Sequence, residues 1–308
     1  MQGNGYTQYK TFHDTVYLLF GILVLFIGTT MHTNASTLVL AQLSERPKKD
    51  YKELRPMVTY MAKQLSSVGI TGGEVRLFRD MDKLIAAINR GEVHWVTETA
   101  KSTAIIVNRT SSDVLLSKWK NNQKSYSSLL YTRHDSAIKS INDLVGRVIA
   151  FENEDSFSSA FIPRVLIEEQ GLALQKLDHI RATPNSDKVG YVFSRNEKNN
   201  ILWTAKGLVD AGVVNDGDWE NKDRLPLSLK GKLRVFHRSE KFPRAFEITT
   251  FALPKSVSVL LKQKLLAMAD NNGRDVLLRY ENSTGFSELP ANYRQRLNEI
   301  YQRTKDWK

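Results

Sequence analysis

Phe151-Glu152-Asn153-Glu154-Asp155-Ser156-Phe157-Ser158-Ser159-Ala160-Phe161-Ile162-Pro163 is the stretch on which the reading of this chain turns. Ahead of it, Arg147 to Phe151 reads as a short buried strand, set off by Gly146. Behind it, Ala160 to Glu169 has helical spacing, with Phe161, Val165 and Leu166 on one face and Gly171 ending the run. Three serines therefore fall on a strand-to-helix turn. Such a turn aims free backbone N–H groups and the positive end of a helix dipole at one spot. Serine hydroxyls add donors, and the arrangement suits an oxyanion such as phosphate, phosphonate, sulfate or carboxylate. The alternative is that Ser156 or Ser158 only caps the helix.

Working outward, the pattern is β-α-β-α-β on the N-terminal side. Strands are expected at 37–43, 74–78 and 93–96, with helices at 51–65, after Asp80, and at 98–107. Residues 113–119 and 127–131 look extended, and 134–142 looks like a crossing. After the serine loop come a strand at 173–180, a helix at 194–206 and a strand at 209–214. Residues 233–237 and 248–253 are further strands, the latter expected as the return crossing. Helices at 256–268, 274–280 and 293–301 close the chain. Two such units joined by short crossings leave a cleft, and ligands of open α/β sheets sit beyond the carboxyl ends of the strands. Four loops then converge: Ser44–Pro47, Thr97–Thr99, Ser156–Ser159 and Asn215–Asp218.

The chain has 308 residues, 41% hydrophobic and 25% charged, an ordinary globular composition long enough for two lobes. It has no cysteine, which excludes disulfides, thiol catalysis and cysteine-ligated metals. Val16 to Gly28 is apolar without a break. As a helix it rises about 20 Å, short of the roughly 30 Å of a bilayer core. With Thr33-Asn34-Ala35 as a cleavage site, residues 1–35 read as a secretory signal, an uncleaved anchor being the alternative. The net charge of +11 survives removal of that segment, since Lys10 and Asp14 cancel. The basic residues are spread along the chain, so no nucleic-acid partner is expected. The surface favours small anions instead.

No pair of the six histidines has helical ligand spacing, so no metal and no cofactor are expected. No Gly-x-Ser-x-Gly elbow or Gly-x-x-x-x-Gly-Lys loop occurs, and the serines have no local base, so an enzyme is the weakest reading. Around the cleft, Arg46 either pairs with an anion or is solvated. Glu98 either meets a ligand amine or starts a helix. Tyr131, at the first crossing, lines the cleft or packs in the hinge. Asp210 is a ligand contact or a structural acid. Asn215 and Asp216 are contacts or a turn.

Ala86-Ala87-Ile88-Asn89-Arg90-Gly91-Glu92-Val93, then Asp135 to Arg147, then Gly207-Leu208-Val209-Asp210-Ala211-Gly212, lie in an order and spacing that resemble one family. It is the PhnD-like group of substrate-binding proteins of phosphate/phosphite/phosphonate ABC transporters, with the type 2 periplasmic-binding fold. The family loop is usually Ser-Thr-Ser-Gly, three residues, then Pro; Ser156-Phe157-Ser158-Ser159 and Pro163 occupy those places.

The resemblance implies two lobes, each a mostly parallel sheet flanked by helices: 36–131 with 250–308, and 132–249. It implies that Ser156 and Ser158 hold the anion and that Asp210 contacts a ligand's amino group. Phe157 replaces a threonine, and would narrow the pocket or stack on a ring-bearing ligand. Ser159 replaces glycine, and Ser194-Arg195 stands where a histidine is often found. The expected protein is a periplasmic monomer that closes on a small oxyanion and delivers it to a transporter permease. The alternative is the same fold retained at the membrane as a sensor for a signalling partner.

Overall fold

The computed structural model describes residues 36–270 and 273–305. The expected signal or anchor, residues 1–35, lies outside the described residues. The chain runs β1 (Ser36–Leu43), α1 (Pro47–Gln64), β2 (Ile70–Phe78), α2 (Met81–Asn89), β3 (Trp95–Glu98), α3 (Ala100–Arg109) and β4 (Ser112–Lys120). It continues through β5 (Ser125–Tyr126), β6 (Ser128–Arg133), β7 (Val148–Phe151), a π-helical turn (Phe157–Phe161), α4 (Ile162–Glu169), β8 (Ala173–Lys176) and β9 (Lys188–Phe193). Then follow α5 (Glu197–Ala205), β10 (Ala211–Asn215), α6 (Asp216–Glu220), α7 (Leu227–Lys230), β11 (Leu233–Arg238), β12 (Phe242–Pro243) and β13 (Ala245–Thr250). The last elements are α8 (Lys255–Leu266), α9 (Arg274–Arg279), β14 (Ser283–Ser287) and α10 (Tyr293–Lys305).

The strands form two six-stranded sheets, in the orders β14-β4-β13-β3-β1-β2 and β11-β6-β10-β7-β9-β8. Helices flank parallel strands in both, as expected of the fold. β1 pairs with β3 in parallel, and so do β7 with β9, β8 with β9 and β10 with β7. The strands around the chain reversals, β13 and β14 in the first sheet and β6 and β11 in the second, pair antiparallel.

Local chemistry accounts for the elements. Pro47 starts α1, where a missing N–H costs nothing, and Leu54, Met57, Val58 and Met61 put one apolar stripe against the first sheet. Asp80 caps α2 by accepting from Lys83 N–H at 2.9 Å. The opposite face of that sheet is covered by Leu84, Ile88 and Ile106 of α2 and α3.

The passages between sheets differ from the expected ones. β6 belongs wholly to the second sheet and β13 wholly to the first, where it lies between β3 and β4. The chain therefore crosses at 121–127 and returns at 239–244, and boundaries at 131/132 and 249/250 cut through sheet strands. The two crossings meet as a two-stranded ribbon, with Tyr126 opposite Phe242 and Ser125 opposite Pro243. Two-residue strands have no side-chain period to read, whereas 248–253 carries the apolar signature of any strand. Residues 134–142, expected to cross, stay with the second sheet. β9, a buried strand beside β7, was not anticipated, and the expected strand at 173–180 ends at Lys176.

Candidate functional site

The site follows from strand direction. β9, β7 and β10 are neighbours and run parallel, so their carboxyl ends open on one side of the second sheet. Three acids hang there: Glu197 just past β9, Glu152 just past β7 and Asp218 just past β10. The serine turn lies among them. Ser156 Oγ accepts from Ser159 N–H at 3.1 Å, so this serine is the helix cap. Ser159 is fully buried and its hydroxyl donates to Glu197 at 3.2 Å. Ser158 is buried, and its carbonyl accepts from Ser128 Oγ at 2.6 Å. The turn is a π-bulge running straight into α4, a feature that recurs at functional sites.

Asn215 Nδ2 donates both to Glu197 Oε1 at 3.0 Å and to Asp218 Oδ2 at 2.9 Å, drawing two carboxyl groups onto one amide. Burial, and then the neighbouring Asp218, hold the Glu197 carboxyl well above the usual carboxylate range. Burial also disfavours the Asp218 charge, but hydrogen bonds from Glu197 and Asn215, with Arg224 and Arg244 nearby, more than offset it and keep Asp218 below its ordinary value. Glu152 is pushed up by burial and by Asp218, against the pull of Ser156, Arg46 and Arg224. The shared site thus favours the proton on Glu197 and the charge on Asp218.

The cations come from elsewhere. Arg244 follows β12 on the return crossing. Its guanidinium lies 4.5 Å from the centre of the Tyr126 ring, and its charge acts on Glu197 and Asp218. Its Nε is buried with no hydrogen-bond partner among the described residues. Arg224 approaches Asp218 at 3.8 Å. Arg46, at the start of α1 in the first lobe, reaches Glu152 electrostatically. Three guanidinium groups therefore face three acids, and Glu197, which shares the Asn215 amide with Asp218, is held above its ordinary range.

The expected residues fall into two groups. Ser156, Ser158, Ser159 and Arg46 come together as described. Asp216 joins them at the rim, where its carboxylate accepts from Gln123 Nε2 at 3.0 Å and pairs with Arg238 at 3.3 Å, fastening the β10 loop to the first crossing. Glu98 stands on the first-lobe side, buried, accepting from Leu43 N–H at 2.7 Å and Thr99 N–H at 3.3 Å.

Tyr131 is not at a crossing. It lies inside β6, fully buried against Trp219 with ring centres 5.3 Å apart, and a Cβ on Gly212 would come within 2.5 Å of its hydroxyl. Asp210 lies before β10, at the opposite end of that strand from Asn215. Its carboxylate accepts from Val148 N–H at 2.8 Å and pairs with Arg147 at 3.8 Å, so it ties two strand starts together at the far end of β10 from the serine turn. Phe157, expected to face the pocket, turns away and is buried.

Arg244, Tyr126, Glu197 and Arg224 escaped the sequence reading, and Glu152 and Asp218 fell in its loops without a role. No spacing links them, because they come from segments on and after β5, β7, β9, β10 and β12. Arg195, where a histidine was looked for, takes a positive φ of 73° and donates its N–H to the Glu152 carbonyl at 2.7 Å, locking the β9 and β7 ends together.

Burial pushes the Glu98 carboxyl up to about 7, against the pull of the Leu43 N–H. A carboxyl raised in the folded state destabilises it as pH climbs from the unfolded value near 4.5 to about 7, and changes nothing further above that. Glu98→Gln, which cannot ionise, is expected to gain about 3 kcal/mol on wild type between pH 4 and pH 8. Urea unfolding at both pH values checks this. A constant difference would mean that Glu98 is charged throughout.

Comparison with known proteins places this geometry. A family model described as the periplasmic substrate-binding protein of phosphonate ABC transporters matches residues 41–293. No curated protein sequence matches the chain. Among solved structures, a Xanthomonas citri protein, determined once with chloride and once with ATP bound, is 29% identical with a TM-score of 0.81. In the chloride form the match covers 88% of this chain and 99% of that one. PhnD1 from Prochlorococcus marinus, in complex with methylphosphonate, is 16% identical with a TM-score of 0.64, over 88% of this chain and 99% of that one. A binding protein component of an ABC phosphonate transporter from Pseudomonas aeruginosa is 17% identical with a TM-score of 0.61, over 88% of each chain. These last two show the shared fold.

Proposed function

Since the chain belongs to the phosphonate periplasmic substrate-binding proteins of ABC transporters, we propose that its own ligand is a phosphoryl-type oxyanion, bound between the serine turn and Arg244. The observation that carries this is the buried, unpartnered Nε of Arg244, whose guanidinium lies on the Tyr126 ring that also meets Phe157 of the serine turn. A buried guanidinium donor without a partner is costly, and an oxyanion satisfies it with a charge-assisted bond. The Xanthomonas citri protein, solved with two different anions, supports the same class. The raised Glu197 fits the reading because a carboxyl biased toward its neutral form repels the ligand less. The ligand is carried in the periplasm by a single chain and handed to a permease. No described helix is long and apolar enough to cross a membrane.

A thermal-shift series tests the ligand class, since a ligand that binds only the native state raises its melting temperature. Inorganic phosphate, methylphosphonate or ATP is expected to raise it in proportion to the logarithm of concentration, and betaine is not. Silence from all three anions would overturn the proposal. Ser158→Ala, which removes the hydroxyl beside Tyr126, is expected to weaken the bound anion five- to tenfold, or about 1–1.5 kcal/mol, by calorimetry.

A further inference from the structure

Phe157 sits in the middle of the serine turn, yet its side chain points into the hinge. It is 2% exposed. Its ring meets Phe242 edge-on at 5.1 Å and Tyr126 edge-on at 6.5 Å, and stacks on Phe161 at 5.5 Å. Tyr126 and Phe242 are cross-strand partners in the β5–β12 ribbon, the two segments by which the chain passes between lobes. The Tyr126 ring also carries the Arg244 guanidinium, 4.5 Å from its centre. The ring that touches the serine turn therefore also touches the arginine. The surrounding cluster draws on both lobes, with Ala104 of α3, Phe246 of β13 and Leu297 of α10 from the first and Ile162 of α4 from the second.

We propose that Phe157 is a positioning residue that keys the anion turn to the hinge, so that the placement of the turn's N–H groups and of Arg244 changes together with the angle between the lobes. The proposal rests on the reading of the cleft as an anion site. A hinge works by backbone rotation in a few connecting residues. Rotation of β5 and β12 moves the Tyr126 and Phe242 rings. A core packed to this density does not yield continuously, so Phe157 must follow, and the turn moves with it. A threonine here would leave the turn its hydroxyls and break the link. A ligand can shift the lobe equilibrium only through unequal affinity for the two states, and this contact supplies the inequality at the site itself.

The absence of cysteine makes the test direct. Spin labels on Lys83→Cys and Asp178→Cys, one in each lobe, report the interlobe distance by electron–electron resonance, with inorganic phosphate as probe. Calorimetry on the same samples gives the phosphate bound.

In the otherwise unaltered chain, saturating phosphate is expected to shorten the mean distance. In Phe157→Thr, phosphate is expected to bind within about tenfold of the parent affinity while the distance change falls by half or more. Phe157→Leu, which keeps most of the apolar volume, is expected to restore it. Val114→Ala removes apolar volume from the same cluster on β4, opposite Ile248 of β13, and is expected to leave it unchanged.

An undiminished distance change per bound phosphate in Phe157→Thr would overturn the coupling, as would an equal loss in Val114→Ala. Should Phe157→Thr not fold, Phe242→Ala removes the contact from the hinge side and is judged by the same two outcomes. Absence of binding in the parent by phosphate and, in its place, by methylphosphonate and ATP would overturn the anion reading and the coupling with it, whereas binding without coupling overturns the coupling alone.

Discussion

Replacing Lys118 by methionine is expected to cost about 3–5 kcal/mol of stability at pH 8, the largest single loss predicted for this chain. Lys118 lies on β4 with no exposed surface. Its ammonium pairs with Glu281, hydrogen-bonds Thr97 and lies 3.7 Å from Glu247, which is also fully buried. Glu247 in turn accepts from Trp95 Nε1 and from the Tyr280 hydroxyl.

Burial raises Glu247 to about 7 even with Lys118 beside it. Burial also works against the Glu281 charge, but Lys118 and Lys120 hold that carboxyl well below its ordinary range. Methionine fills the lysine's space but strands these carboxylates, and a buried unpaired charge costs more than the pair was worth. The sign with pH follows. The variant's loss is expected to be large above pH 7, where both acids ionise, and smaller near pH 5, where Glu247 keeps its proton. Urea unfolding at pH 5 and pH 8 measures it. Adding Glu247→Gln to the methionine variant is expected to recover part of the loss at pH 8. A cost below 1 kcal/mol at pH 8 would show that the network is worth little.

Removal of the Arg244 side chain has the second-largest expected effect, a loss of anion affinity of roughly thirty- to a thousandfold, equivalent to about 2–4 kcal/mol. The estimate follows from its setting. The guanidinium stacks on Tyr126 and its Nε has no partner among the described residues. Burial raises the Tyr126 hydroxyl to about 12 although Arg244 and Ser158 pull it down, so the ring stays neutral and cannot quench the guanidinium.

Arg244→Lys is expected to recover only part of the affinity, because a point charge does not reproduce the planar donors. The two variants separate charge from geometry by calorimetry against phosphate. Equal binding by the parent and Arg244→Ala would place the anion elsewhere in the cleft. Lost affinity with unchanged urea midpoint is the pattern of a ligand contact, and a fallen midpoint is that of a structural one.

The local elements were legible because their signals are local. Asp80 announces α2, Pro47 announces α1, and the serine turn sits where the change from strand to helix period puts it. The family resemblance could be read for the same reason, since order and spacing are properties of the chain.

What bears on the ligand was decided in three dimensions. Glu152, Glu197 and Asp218 follow three different strands and become neighbours only because β9, β7 and β10 lie side by side. Arg244 looked like any surface arginine until the β5–β12 ribbon turned it onto Tyr126. Asp210 is separated from Asn215 by the length of β10, so the same strand that carries one to the cleft carries the other away from it. Phe157 shows the division most clearly. Its serine neighbours suggest a pocket residue, but an aromatic ring goes where the most apolar surface awaits it, and that is the hinge. Periodicity and capping chemistry act over a few residues and determine where this chain forms strands, helices and the anion-shaped turn. Charge pairing, burial and ring packing act between distant segments, and only the folded sheets decide which side chains meet there.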